Sequence, residues 1–536
     1  MKKGLGTALT LLGGALLVCS CSLFPSLNSS SSAQASSSQL PQSSATSSSK
    51  AAHQFTGEKT EIAYTYKDYI ENNAYTLSSC PLSGSPRILV IPMWFTDSSR
   101  YITSSTAKSN VISDIQNSFF GDESSTGWES VSSYYNQLSG GELTLSGTVS
   151  DWYECGYSTS KAGRLDSADG LVEDAVTWYF QNNTSESRSD YDLDGDGYLD
   201  GVILIYGAPD YSSLNQMAYS NLWAYVYWLQ GASRKKNPVA NAYLWASYDF
   251  MYDAETSKQR SGTAYGTGDN SNCQIDAHTY IHEMGHVFGL DDYYDYSNTC
   301  SPAGDFSMQD CNIGGHDPFS TLSFGWADPY IPTESISLTI NDFQSSRDLI
   351  LLTPEWNSYD SPYDEYLLLE LYSPTGLNEL DASTSYMDTY TTGASKVGIR
   401  LWHVDARLTY LVRGSAGYSW STDLTNNPED GEVYVAMTNT YSGSDYVSVL
   451  GSSYANYNFL QLLRNSTSAT YNNGGVLQNS DLFYEGDSFS MSTYSRQFYR
   501  NGHLNDGSSL GWEFSVDSIT DDGDGSYSAT IKLTRE

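Results

Sequence analysis

The pattern of apolar and polar positions changes character after about Ser335. Upstream, Arg87 to Phe95 (RILVIPMWF) and Gly201 to Gly207 (GVILIYG) are apolar runs rich in β-branched and aromatic residues, which predicts buried strands, the first interrupted by Pro92. Between them VSSYYNQL, from Val131, has helical spacing, stops at Gly140-Gly141 and gives way to the alternating strand pattern ELTLSGTVS. Strands mixed with helices predict an α/β or α+β first domain. Downstream, Ser337–Ile340, Tyr366–Leu371, Val397–Val404, Glu432–Met437 and Tyr527–Leu533 mostly alternate and are separated by Gly, Asn, Asp and Ser turns. That predicts an all-β, sandwich-like tail.

The N-terminus has a different pattern. Lys2 and Lys3 precede an apolar stretch from Leu5 to Val18, shorter than the roughly 20 residues of a membrane span, so it reads as an export signal. Val18-Cys19-Ser20-Cys21 resembles a bacterial lipobox, with Cys21 as the lipidated first residue; a plain secretory signal cut nearby is the alternative. From Asn28 to Lys50 the chain has 12 Ser in 23 residues, a composition that cannot offset the entropy of ordering and predicts a disordered tether. The expected organisation is residues 1–20 signal peptide, 21–55 tether, 56–335 a first domain with a short pro-like N-terminal segment, and 336–536 a β-sandwich-like domain.

Charge narrows the partners. With 26 Lys+Arg against 63 Asp+Glu the net charge is −37, which repels polyanions and excludes nucleic acid as the expected partner. Aromatic content of 14% is too high for global disorder, so most of the chain folds. After export and lipidation, Cys80, Cys155, Cys273, Cys300 and Cys311 remain. Their pairing is open, and Cys300 with Cys311 would close a short loop.

The chemistry concentrates in Asp276-Ala-His278-Thr-Tyr-Ile-His282-Glu283-Met-Gly-His286-Val-Phe-Gly289-Leu-Asp291-Asp292, which holds three of the chain's seven histidines. Asp276 is placed to cap a helix and Gly289 to end it in a left-handed turn. Four residues apart, His282 and His286 leave one helix face and can share a zinc ion at about 2.0–2.1 Å. Glu283 sits around the helix, positioned to act as general base on a water without occupying the metal. Gly289 lets the chain reverse and bring back a third ligand: Asp292 is favoured, with Asp291 the competitor. His278 reads as a capping or outer residue, His403 as a packed histidine.

This H-E-x-x-H-x-x-G-x-x-D pattern resembles the immune inhibitor A family of secreted bacterial zinc metallopeptidases. Phe306-Ser307-Met308, 22 residues past His286, is similar to that family's Met-turn, and the resemblance implies Met308 as an apolar floor beneath the metal. Asn312-Ile-Gly-Gly-His316-Asp317-Pro318 is similar to the helix start that follows, with Asp317 as cap and Pro318 at the first helical position. Glu365–Glu370 and Gly398–Asp405 look like segments beyond the catalytic domain. The implied fold is α+β: a metzincin-like zinc peptidase domain, a mixed sheet with an active-site helix, followed by an all-β sandwich-like C-terminal domain. For oxyanion stabilisation His316, Tyr293 and Tyr294 are the candidates.

A second motif, Asp192-Leu-Asp194-Gly-Asp196-Gly197-Tyr198-Leu-Asp200, fits a calcium loop of the D-x-D-x-D-G type, with the Tyr198 carbonyl as a further ligand. Ile203 where a full EF-hand loop has Glu makes it a shorter loop feeding the GVILIYG strand. The expectation is a monomeric, exported, surface-anchored zinc endopeptidase, with calcium as a second cofactor, acting on proteins or peptides and touching membrane only through its lipid. Its rival is a catalytically inactive surface binding lipoprotein on the same scaffold.

Overall fold

The computed structural model describes residues 55–71, 80–126, 128–229, 237–252, 275–296, 300–357, 360–386, 390, 392–414, 417–421, 432–439, 457–472, 474–523 and 525–536. The signal peptide, Cys21, all but the last residue of the tether, and Cys273 lie outside these. The class is mixed α+β, with one mixed parallel/antiparallel sheet followed by further sheets that are mostly antiparallel.

The first sheet contains β1 (Arg87–Trp94), β2 (Ser146–Val149), β3 (Tyr153–Glu154), β4 (Gly201–Tyr206), β5 (Tyr225–Trp228) and β6 (Ala242–Ser247). Its order is β2-β1-β4-β6-β5, with β3 beside β1 beyond the end of β2; only β5 runs antiparallel, against β6. The apolar runs are continuous because both faces are covered. Ile88, Val90, Ile203, Ile205, Leu244 and Ala246 face one core, whereas Leu89, Ile91, Val202, Leu204, Tyr243 and Trp245 face another, built on the helix Asp169–Asn182. Pro92 is tolerated inside β1 because its missing donor falls where β2 has ended at Val149 and β3 begins only at Tyr153. Of ELTLSGTVS only Ser146–Val149 is strand. The preceding residues add a single bridge, Leu143 to Gly84.

Downstream strands are β7 (Pro329–Tyr330), β8 (Ile336–Asn341), β9 (Leu349–Leu352), β10 (Glu365–Tyr372), β11 (Gly398–Asp405), β12 (Leu408–Gly414), β13 (Gly417–Ser421), β14 (Glu432–Val435), β15 (Leu460–Leu463), β16 (Ser488–Ser490), β17 (Trp512–Asp521) and β18 (Tyr527–Arg535). They form sheets β15-β11-β10-β9-β7, β16-β17-β18-β8 and β13-β12-β14. Side-chain alternation settles the packing. Ile350, Leu352, Leu367, Leu369 and Leu401 meet Phe514, Val516, Ile531 and Leu533 of the four-stranded sheet in one core. Leu349, Leu351, Tyr366, Leu368, Trp402 and Val404, on the opposite face, join the core of the motif helix. The core is therefore continuous across residues 335 and 336. No helix among the described residues is long and apolar enough to cross a membrane.

Candidate metal centre

The motif residues form the helix His278–Phe288, buried along its whole length. Its N-cap is Ala277, without a side-chain cap, and not Asp276 as the sequence suggested. Asp276 Oδ1 instead accepts from the His278 amide at 2.8 Å and meets its Nδ1 at 2.7 Å. Gly289 ends the helix at φ 106°, and a Cβ there would meet the Tyr66 ring at 2.3 Å, so both conformation and space require glycine. The Tyr66 hydroxyl donates to the Gly289 carbonyl.

The reversal after Gly289 brings Asp292 back. His282 Nε2 is 3.0 Å and His286 Nε2 3.2 Å from Asp292 Oδ1, and the two Nε2 atoms are 3.2 Å apart. A tetrahedral ion with ligands at about 2.0–2.1 Å separates neighbouring donors by about 3.3 Å, so this triangle matches one zinc ion within a few tenths of an ångström. All three residues are buried, whereas the competitor Asp291 is exposed. The imidazoles are aimed from behind. His282 Nδ1 lies 2.8 Å from the Met308 carbonyl and His286 Nδ1 2.6 Å from the Leu290 carbonyl, which leaves both Nε2 lone pairs for a metal.

The field in the site favours positive charge. Burial alone would lower His286, but Asp292 outweighs it, with help from Glu283, and the group is pushed up to about 9. Burial would raise Asp292, but His286 and His282 hold it well below the usual carboxylate range. Glu283 is buried beside His282 in the same helix, its carboxylate near enough to act on His286.

Met308 opens a helical turn, Met308–Cys311, and is fully buried in the core beside the motif helix. What it visibly supplies is the carbonyl that orients His282. That loop is itself braced. Arg400 of β11, paired with Glu370 at 2.6 Å, reaches the Phe306 carbonyl at 3.3 Å. The Met308 amide donates to Gly315 O (3.2 Å), while the amides of Gly314 and Gly315 donate to Asp381 Oδ2 (2.6 Å) and Asn378 Oδ1 (2.9 Å). Asp317 caps the helix Pro318–Ser323 through the Ser320 amide, with Pro318 at the start.

His278 is held apart from the triad. Its ring stacks between Trp128 and Tyr386, each 4.3 Å away, and its Nε2 lies 3.2 Å from Asp381 Oδ2. Burial would lower its pKa, but Asp276 and Asp381 prevail and push it up to about 10, so the pair of carboxylates encloses an imidazolium.

Of the oxyanion candidates, His316 is buried, with Nδ1 2.9 Å from the Tyr134 hydroxyl and Nε2 3.2 Å from Gln309 Oε1; burial and the nearby His282 and His286 push it down to about 3, keeping it neutral. Tyr293 is buried, its hydroxyl 3.2 Å from Ser320 Oγ. Tyr294 packs edge-on against Tyr296 at 5.0 Å. Sequence reasoning missed Gln309, whose amide nitrogen lies 3.1 Å from His286 Nδ1, and Tyr296, whose hydroxyl donates to Asp292 Oδ2 at 2.5 Å. Spacing carries no signal for either contact. His403 is buried and bonded to Glu365 Oε1 at 2.9 Å, a packed histidine as expected.

In the second motif the structure gathers Asp192, Asp194 and Asp200 with oxygens within 4.8 Å of one another; Asp196 is not in this group. Asp196 Oδ1 accepts from the Tyr198 amide at 2.7 Å. Gly195 and Gly197 take φ of 71° and 90°, the turns the loop needs. Lys67 Nζ lies 2.7 Å from Asp194 Oδ2. Burial, with Asp194 and Asp192 adding to it, pushes Asp200 up to about 7. Cys80 is buried and its thiol pushed up, chiefly by that burial.

Compared with known proteins, the chain matches no family model and no curated protein.

Proposed function

We propose that this protein is a zinc-dependent endopeptidase, of the metzincin-like kind its motif resembles, which hydrolyses extracellular proteins or peptides. The observation that carries the reading is the triangle of His282 Nε2, His286 Nε2 and Asp292 Oδ1, 3.0–3.2 Å on each side, with both imidazoles turned by main-chain carbonyls. Three such donors suit zinc and leave a fourth position for chemistry. A zinc ion held there would supply a Lewis acid that polarises a carbonyl and acidifies water. The chain's own work falls to Glu283, whose carboxylate oxygen takes the proton of the attacking water and passes it to the leaving amine. The charge of Asp292 keeps the histidine pair attractive to a cation, and burial excludes bulk water.

The Asp192, Asp194 and Asp200 group is proposed as a calcium site with a stabilising role, since three carboxylates converge where one, Asp200, is already hard to ionise. Export and anchoring through Cys21 belong to the same proposal and rest on the N-terminal sequence. The test is metal analysis of purified protein followed by a casein or peptide-library assay with and without chelator. Cleavage lost on chelation and restored by zinc supports the enzyme. One equivalent of zinc with tight ligand binding and no cleavage would replace it with the inactive binding protein.

A further inference from the structure

Three groups form the candidate zinc site, and they are oriented by different means. His282 and His286 are each aimed by a main-chain carbonyl, at Met308 and Leu290, which no side-chain substitution removes. Asp292 is aimed by a side chain. Its Oδ1 faces the two Nε2 atoms at 3.0 and 3.2 Å, while its Oδ2 accepts from the Tyr296 hydroxyl at 2.5 Å. An O–H···O⁻ bond of that length is of the short, charge-assisted class.

A carboxylate has two ways to bind zinc. With one oxygen it takes a single position and leaves the fourth for water or substrate; with both it adds a fifth donor to the ion and crowds that fourth position. A donor fixed on Oδ2 engages one of its lone pairs, draws charge from it and fixes the plane of the carboxylate, so Oδ1 is the favoured oxygen for the ion. From this geometry we infer that Tyr296 is a positioning residue that confines Asp292 to one-oxygen ligation, and that metal retention and coordination number depend on its hydroxyl. The inference rests on the zinc reading above.

Tyr296 is placed for this task. It follows Asp292 by four residues, its ring is held edge-on against Tyr294 at 5.0 Å, and at 37% exposure it sits at the solvent edge of a site whose other members are buried. Removing one hydroxyl from a surface ring leaves the packing in place, so the effect on the metal can be read apart from folding.

The experiment compares full-length wild type with Tyr296→Phe. Zinc affinity is measured by competition with a chromophoric chelator, and cobalt(II) is substituted to read coordination number from visible absorption. Losing an outer partner of a metal ligand typically weakens affinity about 10–100-fold, and that loss is expected here. The cobalt bands should weaken toward the five-coordinate pattern as Oδ2 joins the ion, with the melting temperature of the metal-free protein unchanged. Equal affinity and identical spectra in the two proteins would overturn the role of Tyr296 while leaving the zinc reading intact. An affinity loss matched by a lower metal-free melting temperature would also overturn it, marking Tyr296 as structural. A wild type that takes up no zinc removes the function reading itself.

Discussion

The two candidate metal sites differ in what their ligands do before an ion arrives. In the His282, His286 and Asp292 triad every group is buried, and the Nδ1 atoms and Oδ2 are committed to partners behind the site, so the atoms left over face each other. In the Asp192–Asp200 loop the carboxylates already serve the fold. Asp192 Oδ2 accepts from the Gly197 amide, Asp200 from the Leu193 amide, and Asp194 pairs with Lys67. A preorganised site spends no free energy on arranging its ligands when the ion binds and suits chemistry, whereas a loop whose carboxylates also hold its own turns, with Asp192 Oδ1 buried and unpartnered, gains chiefly stability from an ion.

The largest effect should come from Glu283. Glu283→Gln is expected to lower kcat about 10²–10⁴-fold, and zinc content measured on the same protein should stay at the wild-type level. His282→Ala should lose the metal as well. If both variants lost zinc alike, Glu283 would belong among the ligands and the contrast between preformed donors and a separate base would fail.

Next is the brace behind the triad. Asp381→Ala leaves the His278 imidazolium short of one carboxylate and the Gly314 amide without its acceptor, so denaturant unfolding should show a loss of about 3–5 kcal/mol. The pH dependence has a definite sign. His278 is raised from 6.5 to about 10, so its contribution is complete below about pH 6.5 and disappears as pH rises toward 10. Wild-type stability should fall across that window, and the slope should flatten in Asp381→Asn.

The acidic loop should respond more modestly. Calcium at about 100 times its dissociation constant should add about 2.7 kcal/mol, read as a rise in melting temperature, and Asp192→Asn should abolish the gain. Without the ion, Asp200 at about 7 against its usual 3.8 favours the protonated folded state, so stability contributed by this group is lost as pH rises from about 4 to 7. Calcium should cancel that slope. The smallest effect is expected from Lys67→Met. This partly exposed pair contributes up to about 1 kcal/mol, but calorimetric titration should show tighter calcium binding once the ammonium no longer competes for Asp194.

Much of the fold was legible where the signal is local. VSSYYNQL is the helix Val131–Leu138, GVILIYG contains β4, and the alternating tail segments overlap β8, β10, β11, β14 and β18. The misses share a cause. ELTLSGTVS alternates over its full length but is strand only from Ser146, because only that part has β1 beside it. Asp276 looked like the N-cap residue, yet Ala277 holds that position, and the Asp276 carboxylate serves both the amide and the imidazole of His278.

The sequence by itself determined that His282 and His286 share a helix face, that Glu283 lies beside them, and that a glycine turn brings back the Asp291-Asp292 pair, since helix period and left-handed backbone are properties of neighbouring residues. Only the tertiary structure decided how those groups are aimed. The Met308 carbonyl lies 26 residues from His282, and Asp381 lies 103 residues from His278. Contacts over such separations depend on how sheets and loops pack, and residue spacing carries no record of that packing.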